Sequence, residues 1–339
     1  MNQASVQGLA RSASVLVLAC LAACAETEWV APAPVQQATS TDEDLWAMVP
    51  AEADLVLFAD LLKLRASPWT TASFDTAAGS TEATFDQVRD MDRAIFAKLP
   101  SLRDGASVLV AQGKVDRDAM GRAFQAGGHA NGSVYRNAEL LVRGDEALAF
   151  LGKRTVLSGL AVAVRAALDC NAGVARAIES EPWLRQLRPE IESKGSGKDM
   201  VAALYIHLQP ATRELLLKEI GEGGSLQDFG GRIDLGADLD ASAVGIVGTQ
   251  MQARDLAARL AERIREVRTR PIVAAFGLGS VLDSLRFAAK GNKVQASLHV
   301  SEQERSEIAQ RMATVTEIFT KMRAQQAKDD QANQEDRHP

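Results

Sequence analysis

The chain is poor in the residue types that catalysis and nucleic-acid binding usually need. Its 339 residues include 4 histidines, 2 tyrosines and 3 cysteines, and aromatic residues make up 5% of the total. The formal net charge is −6, and lysine and arginine do not cluster into the basic face that nucleic-acid binding requires. Neither a Gly-x-Ser-x-Gly nor a His-Glu-x-x-His motif occurs, so hydrolase chemistry has little support. The sequence therefore predicts no nucleic-acid partner, no metal site, no cofactor and no enzymatic activity.

A short apolar stretch near the N-terminus ends in a cysteine. It runs from Ala13 to Ala23, is interrupted by Ser14, and follows a segment whose one charged residue is Arg11. It is shorter than the about 20 apolar residues needed to cross a bilayer, but its length fits the core of a signal peptide. The four residues Leu21-Ala22-Ala23-Cys24 at its end resemble the lipobox of bacterial lipoproteins.

The lipobox resemblance implies export, cleavage before Cys24, acylation of that sulfur, and a lipid bilayer as the first partner. Position 26 holds Glu where aspartate retains many lipoproteins in the inner membrane, which favours the outer membrane, facing the periplasm. Cys20 offers a rival site, because Val17-Leu18-Ala19-Cys20 is also lipobox-like. Two other interpretations stay open, an ordinary cleaved signal with a cut near Ala25 and a buried N-terminal helix.

After such processing, Cys170 is the one cysteine left with a free thiol. A lone thiol cannot form an internal disulfide, so the predicted fold does not depend on one. We expect Cys170 to be a small buried hydrophobic residue, and a nucleophile is the less favoured alternative because no histidine lies near it in sequence.

Composition and periodicity divide the chain into five segments. Residues 25–44 are rich in Pro, Ala, Gln, Thr and acidic residues, which is typical of a flexible tether. The predicted segments are a signal peptide (1–23), a tether (24–46), a first lobe (47–194), a second lobe (195–324) and a disordered tail (325–339).

Both lobes show the same order of predicted elements. Asp54–Asp60 is an apolar run typical of a buried strand, and apolar spacings of three and four predict an amphipathic helix over 82–99. Three short strands are predicted from Ser133 to Leu157. A strand followed by a helix occurs in each lobe, with Val108 and Met120 matching Val244 and Leu256 at a constant offset of 136. The predicted fold class is α+β, with two similar tandem lobes, each a mainly antiparallel sheet with helices packed on one face. Coincidence is the alternative, since strand-then-helix units are common.

Two short phrases resemble a loosely defined group of exported bacterial proteins of unknown function. The first is Val49-Pro50-Ala51-Glu52-Ala53-Asp54 before the opening strand, and the second is Ser67-Pro68-Trp69 after a short helix. The resemblance covers the chain diffusely and implies no activity.

The last predicted helix carries the candidate partner face. Ser301 and Glu304 form a capping box at its start. A narrow apolar stripe follows at spacings of 4, 3, 4 and 3 residues, formed by Ile308, Met312, Val315, Phe319 and Met322. The stripe predicts either a helix packed on its own sheet or a partner-binding helix, and it covers barely two heptads.

Polar residues in three predicted strands are candidate site residues. His207 and His299 would form a metal or acid–base pair if the related lobes brought them together, and otherwise they face solvent. Alternation from Arg232 to Asp240 predicts one strand with a charged, solvent-facing side rather than a calcium site.

These observations leave three functional hypotheses. The first is a membrane-anchored, non-enzymatic envelope lipoprotein that binds another envelope component. The second is a carrier of a small molecule or lipid, with a pocket between the lobes. The third is an enzyme that uses acidic residues without a local motif.

Overall fold

The computed structural model describes residues 44–69, 90–103, 105–193, 199–210, 213, 226–270, 273 and 278–307. Within these residues the chain forms one antiparallel sheet of twelve strands. They are β1 (Leu55–Asp60), β2 (Met91–Lys98), β3 (Ser107–Gly113), β4 (Asn131–Tyr135), β5 (Ala138–Arg143), β6 (Glu146–Leu151), β7 (Thr155–Leu160), β8 (Met200–His207), β9 (Asp228–Leu235), β10 (Leu239–Ile246), β11 (Arg286–Lys290) and β12 (Lys293–Val300).

The order of strands confirms an α+β fold with two similar halves. It reads β11-β12-β10-β9-β8-β1-β2-β3-β7-β6-β5-β4, so the first strand of each half lies at the centre. Outward from the antiparallel β1–β8 pair, each half continues with its second, third, last and second-to-last strand. The predicted match of Val108 with Val244 is consistent with this order, because both lie in the third strand of their half. The two predicted lobes are therefore halves of one continuous sheet.

Helices connect the strands and begin at recognisable caps. They are α1 (Leu61–Ala66), α2 (Arg117–Ala126), α3 (Ala161–Asn171), α4 (Pro182–Glu192), α5 (Gln250–Arg268) and α6 (Gly279–Ser284), with 3₁₀ turns at Leu45–Met48 and Ile178–Ser180. Side chains of Asp60, Asp116 and Thr249 accept backbone N–H groups three residues on, which stabilises the starts of α1, α2 and α5. Helical residues 302–307 follow β12.

One face of the sheet, called the core face below, packs on the largest apolar cluster. Strands β1, β2, β3 and β8 supply Val56, Ile95, Ala97, Val108, Val110, Ala203 and Tyr205 to it. Helices α3 and α4 cover these residues with Leu168, Leu187 and Ile191, among others. A Cβ atom at Gly230 would lie 2.9 Å from Cγ1 of Ile191, so this glycine allows α4 to pack closely on β9.

Helices also pack against the other face, so the predicted placement on a single face is wrong. Phe124 of α2 packs beside Ala111 and Val156, whose strand neighbours Val110 and Leu157 point to the core face. In the second half, Leu256 of α5 joins a cluster with Val294 of β12 on the same side as α2. The physical reason is that strands on either side of the centre are apolar on this face as well, at Ala111 of β3, Val156 of β7 and Val294 of β12, and these residues must also be shielded from water.

The helix predicted over 82–99 is wrong in its second half, which forms strand β2. Residues 82–89 lie outside the described part of the chain, whereas Ile95, Ala97 and Leu99 alternate with more exposed residues and are fully buried. Met91, Ile95 and Leu99 are four residues apart, and a spacing of four satisfies a strand period of two as well as a helix period of 3.6. The apolar pattern therefore did not distinguish the two structures.

The single strand predicted from Arg232 to Asp240 is a hairpin. Strand β9 ends at Leu235, β10 begins at Leu239, and the N–H of Gly236 donates to the carbonyl of Asp238 at 3.0 Å. Because Leu235 and Leu239 are register partners, the alternation continues unchanged through the turn. The supposed solvent-facing side is also wrong at Arg232, whose side chain is 1% exposed.

Two further boundaries differ from the prediction. Leu45 and Trp46 are buried in the core, so they do not belong to the tether predicted for residues 24–46. The region predicted as three strands from Ser133 to Leu157 contains four, β4 to β7, since each is short and joined to the next by a tight turn. Residues 1–43 and 308–339 lie outside the described part of the chain.

Candidate interaction surface

Opposite the core face, the centre of the sheet carries an apolar surface that the described residues leave uncovered. Among these side chains Phe96 is 36% exposed and the others are half-buried. None of the four apolar clusters formed by described residues includes them. These residues, called the open sheet face below, are Leu55, Leu57, Phe96, Leu109, Leu204, Ile206 and Phe229.

The open sheet face is continuous across five strands. Its members are direct cross-strand neighbours, which places their Cβ atoms about 5 Å apart. The two rows of register partners are Leu109–Phe96–Leu57–Leu204 and Leu55–Ile206–Phe229. The rows cross the β1–β8 pair, so the surface lies on the seam between the two halves.

Three apolar clusters border the open sheet face on its own side of the sheet. The cluster under α2 contains Ala111, two residues from Leu109 along β3. A second contains Trp69 and packs against Ala202, two residues from Leu204 along β8. The third, under α5, packs against Leu226, which fills the space above Gly245, the register partner of Phe229. The open sheet face is therefore bordered by helix-covered clusters on its own side of the sheet.

The two histidines considered as a pair lie apart, and each has its own aspartate. Nδ1 of His207 lies 2.7 Å from a carboxylate oxygen of buried Asp228, and its ring stacks on Trp183. Nδ1 of His299 lies 2.8 Å from a carboxylate oxygen of Asp240, and this hydrogen bond raises the pKa of His299. His207 pairs across β9 and β10 with the start of β12, whereas His299 lies near its end, roughly 20 Å further along the strand. The predicted alternative of a shared site is therefore wrong.

A half-buried carboxyl group, that of Asp54, lies beside the His207 pair. Burial raises the pKa of Asp54, and its Oδ1 atom has no hydrogen-bond partner among the described residues. Its backbone N–H donates to the carbonyl of Lys98, and its carbonyl accepts the N–H of His207. The charges of Lys98 and His207 act against the rise. These backbone hydrogen bonds join Asp54, just before β1, to the ends of β2 and β8.

A pocket in the described surface lies along α4 and not between the halves. Its volume is about 430 Å³. Its lining residues are Glu179, Leu184, Arg185, Arg188, Pro189 and Glu192. Arg188 pairs with both glutamates at 2.7 Å and its guanidinium lies 4.4 Å from the Trp46 ring. A surface pocket bordered by four charged side chains differs from the deep cavity between the lobes that the carrier hypothesis expects.

Cys170 is buried, as the sequence predicted. It lies at the end of α3, its thiol is 3.3 Å from the carbonyl of Arg176, and desolvation raises its pKa to about 11. At neutral pH a thiol with this pKa stays protonated, and the thiolate is the reactive form. The environment favours a packing role.

The capping box predicted for the last helix is confirmed. The carboxylate of Glu304 accepts the backbone N–H of Ser301 at 2.9 Å, and this bond lowers the pKa of Glu304. The Ser301 hydroxyl in turn accepts the N–H of Glu304 at 3.3 Å. The remaining predicted site residues lie outside the described part of the chain: Cys24, Ile308, Met312, Val315, Phe319 and Met322. The open sheet face is the feature that sequence reasoning missed.

The described residues hold neither a metal-binding cluster nor a membrane-spanning helix. No group of three or more His, Cys, Asp or Glu side chains among them is arranged to hold a metal ion. No helix in the same residues combines the length and apolar character needed to span a bilayer.

Comparisons with known proteins find similarity in solved structures alone. No family model matches the chain, and no curated protein does. The chain is similar to TP0453 in crystal form I, with 12% identity, a TM-score of 0.45, and coverage of 80% of this chain and 98% of that one. For crystal form III the values are 10%, 0.44, 79% and 99%, and for crystal form IV they are 11%, 0.42, 78% and 96%. None of these similarities assigns a family or a function to the chain.

Proposed function

We propose that the protein is a membrane-anchored lipoprotein of the bacterial cell envelope that binds another envelope component and has no enzymatic activity. The lipobox-like residues ending in Cys24 support the anchor, and Glu26 supports the outer membrane, facing the periplasm. The open sheet face supports the binding role and is the observation on which the proposal depends.

An apolar patch of this kind is costly to leave in water. Each square ångström of apolar surface removed from water contributes about 25 cal/mol, so the exposed ring of Phe96 and its neighbours favour a covering group. Isolated apolar residues are normal on protein surfaces, but contiguous patches mark interaction sites. The continuity of the two register rows supports the proposal that this surface is an interaction site.

The chemistry of the surface indicates the kind of partner. Polar residues on this side of the central strands lie at its margin, where Lys98 is the register partner of Leu55 and Ser158 that of Leu109. A partner that fits would present an apolar surface, since a charged group buried here would lose its hydration without a partner of opposite sign. We propose an envelope protein with such a surface.

Replacing Phe96 with aspartate is expected to reduce recovery of the partner about tenfold, as expected for an anchor residue at the centre of an interface. The measurement is chemical crosslinking in the native host, purification of the lipidated chain from membranes, and quantitative mass spectrometry of what accompanies it. The matched control is Val134→Asp, on edge strand β4, because Val134 is an apolar residue that is already 79% exposed.

The outcomes separate the hypotheses. A protein recovered with wild type and Val134→Asp but lost with Phe96→Asp supports the proposal, provided that the thermal midpoints of the variants agree. A protein recovered equally with all three contradicts binding at this face. A lipid or small molecule that shows the same dependence on Phe96, without any protein, would instead support the carrier hypothesis.

A further inference from the structure

One end of the sheet carries a local excess of positive charge. Residues 250–293, from the start of α5 to the first residue of β12, contain nine Lys or Arg residues and four Asp or Glu residues, which gives a net charge of +5. The whole chain has a net charge of −6, so the rest of it carries −11. The molecule therefore has one positive end although the chain as a whole is acidic, and a charge asymmetry of this kind orients a protein on a charged surface.

Helix α5 lies beside the edge strand β11 along the whole strand. Near the start of the helix, the N–H of Val247 donates to the carbonyl of Asn292 at 2.9 Å, in the turn that joins β11 to β12. Near its end, Arg268 pairs with Asp283, three residues before β11, at 2.7 Å. Between these points Phe287 of β11 packs against the apolar cluster under α5. Because Asp283 leads into the edge strand, the flank of α5 that contains Arg268 faces the edge of the sheet.

This flank of α5 contains basic and small residues and no acidic residue. Spacings of three and four residues place six side chains on it: Met251, Arg254, Ala258, Ala261, Arg265 and Arg268. The acidic residues of α5 follow a different ridge, at spacings of seven and four: Asp255, Glu262 and Glu266. Arg254 and Arg265 are exposed and form no ion pair within the described residues, and Met251 is 71% exposed. Guanidinium groups beside an exposed apolar side chain suit a surface that is anionic with apolar material beneath it.

Lys290 adds positive charge on the other side of the same edge. It is the register partner of Lys293, so two like charges lie directly opposite each other, which destabilises a strand pair. Glu190 pairs with Lys293 at 2.6 Å. Lys290 is exposed and has no such partner in the described part of the chain. An anionic surface against this edge would offset the repulsion.

We propose that this edge of the sheet rests on an anionic phospholipid surface. The residues that contact it, called the basic end below, are Arg254, Arg265, Arg268, Arg286 and Lys290. Phosphate groups accept strong hydrogen bonds from guanidinium groups, and each basic residue near an anionic bilayer adds to the affinity. The proposal rests on the proposed function in one respect, because the acylated Cys24 would hold the chain beside a bilayer. The contact orients the anchored protein and leaves the open sheet face, which begins three strands away at β9, free for the partner.

Co-sedimentation with lipid vesicles tests the basic end. The protein is residues 24–339 with Cys24→Ser, which contains every described residue and carries no acyl chain. At about 0.1 M salt, where the Debye length is about 10 Å, it is expected to bind vesicles of equal parts phosphatidylcholine and phosphatidylglycerol but not phosphatidylcholine alone. Arg254→Glu/Arg265→Glu is expected to lower the partition coefficient at least tenfold.

The matched control is Arg122→Glu/Arg165→Glu, on α2 and α3. Both arginines are exposed and have no ion-pair partner among the described residues, and the double variant changes the net charge by the same amount. It should bind almost as well as the protein without these substitutions, and the thermal midpoints of both double variants should agree.

Three results would overturn the proposal. They are equal binding to neutral and anionic vesicles, an equal loss in the two double variants, and no binding to anionic vesicles. In the last case, binding to polyglutamate instead would indicate an acidic protein as the partner of the basic end. The experiment contains neither an acyl chain nor the envelope partner, so its failure leaves the acylation of Cys24 and the Phe96→Asp capture result unaffected, and the reverse also holds.

Discussion

Replacing Arg232 with methionine is expected to lower the free energy of unfolding by about 3–5 kcal/mol, because it removes one partner of a buried ion pair. The Arg232 side chain is 1% exposed and forms a bidentate pair with Asp234, which is 19% exposed. It also donates to the carbonyls of Ile191 and Glu192 at 3.1 and 3.2 Å, at the end of α4. The variant leaves a largely buried carboxylate and two helix carbonyls without their donor.

Urea unfolding, monitored by circular dichroism, measures this effect. The matched control is Arg263→Met, because Arg263 pairs with Glu266 at 2.7 Å with both side chains more than half exposed, and such pairs contribute at most about 1 kcal/mol. Adding Asp234→Leu to the Arg232 variant should restore part of the loss, since no unpaired charge remains. A loss no larger than that of Arg263→Met would show that Arg232 does not hold α4 on the sheet.

Replacing Cys24 with serine is expected to move the protein from the membrane fraction to the soluble fraction. Lipidation adds about 0.8 kcal/mol of membrane affinity per buried methylene, and more than one acyl chain gives stable anchoring. Without the sulfur there is no attachment point, and no helix in the described residues is long and apolar enough to replace it. Fractionation of host membranes after a carbonate wash, with metabolic labelling by palmitate, measures both anchoring and acylation.

The rival cysteine provides the control. Cys20→Ser should leave labelling and membrane association unchanged, because the proposed cleavage before Cys24 would remove Cys20 with the signal peptide. Loss of labelling in Cys20→Ser but not in Cys24→Ser would assign the site to Cys20. Loss in neither variant would contradict the lipoprotein proposal altogether.

The sequence predicted the strands of this fold better than it predicted which elements pack on each face of the sheet. The run Leu55-Val56-Leu57-Phe58 is apolar at successive positions, which correctly indicated a strand, although Val56 is the one fully buried residue of the four. It did not show that Val56 and Leu57 have different surroundings, since the elements that bury Val56 come from residues 45–48 and 161–191. The open sheet face is thus a result of topology, which local periodicity does not encode.

The sequence did not predict side-chain partners that are distant along the chain, because the topology of the sheet brings them together. Alternation placed Arg232 and Asp234 correctly on one side of a strand, but the approach of α4 makes that side buried. The sequence predicted that His207 faces solvent or pairs with His299. In the structure, pairing of β8 with β9 places the Asp228 carboxylate against His207. The Ser301–Glu304 capping box was predicted correctly because all its atoms lie within four consecutive residues.

The most direct test of the open sheet face as the functional surface is photo-crosslinking from position 96 in the native host. A photo-reactive amino acid replaces Phe96 in the full-length chain, and the same residue replaces Val134 as the control. The account predicts one discrete adduct with an envelope protein from position 96, and no such adduct from position 134. Identical products from both positions, or no product from position 96 in folded protein, would contradict it.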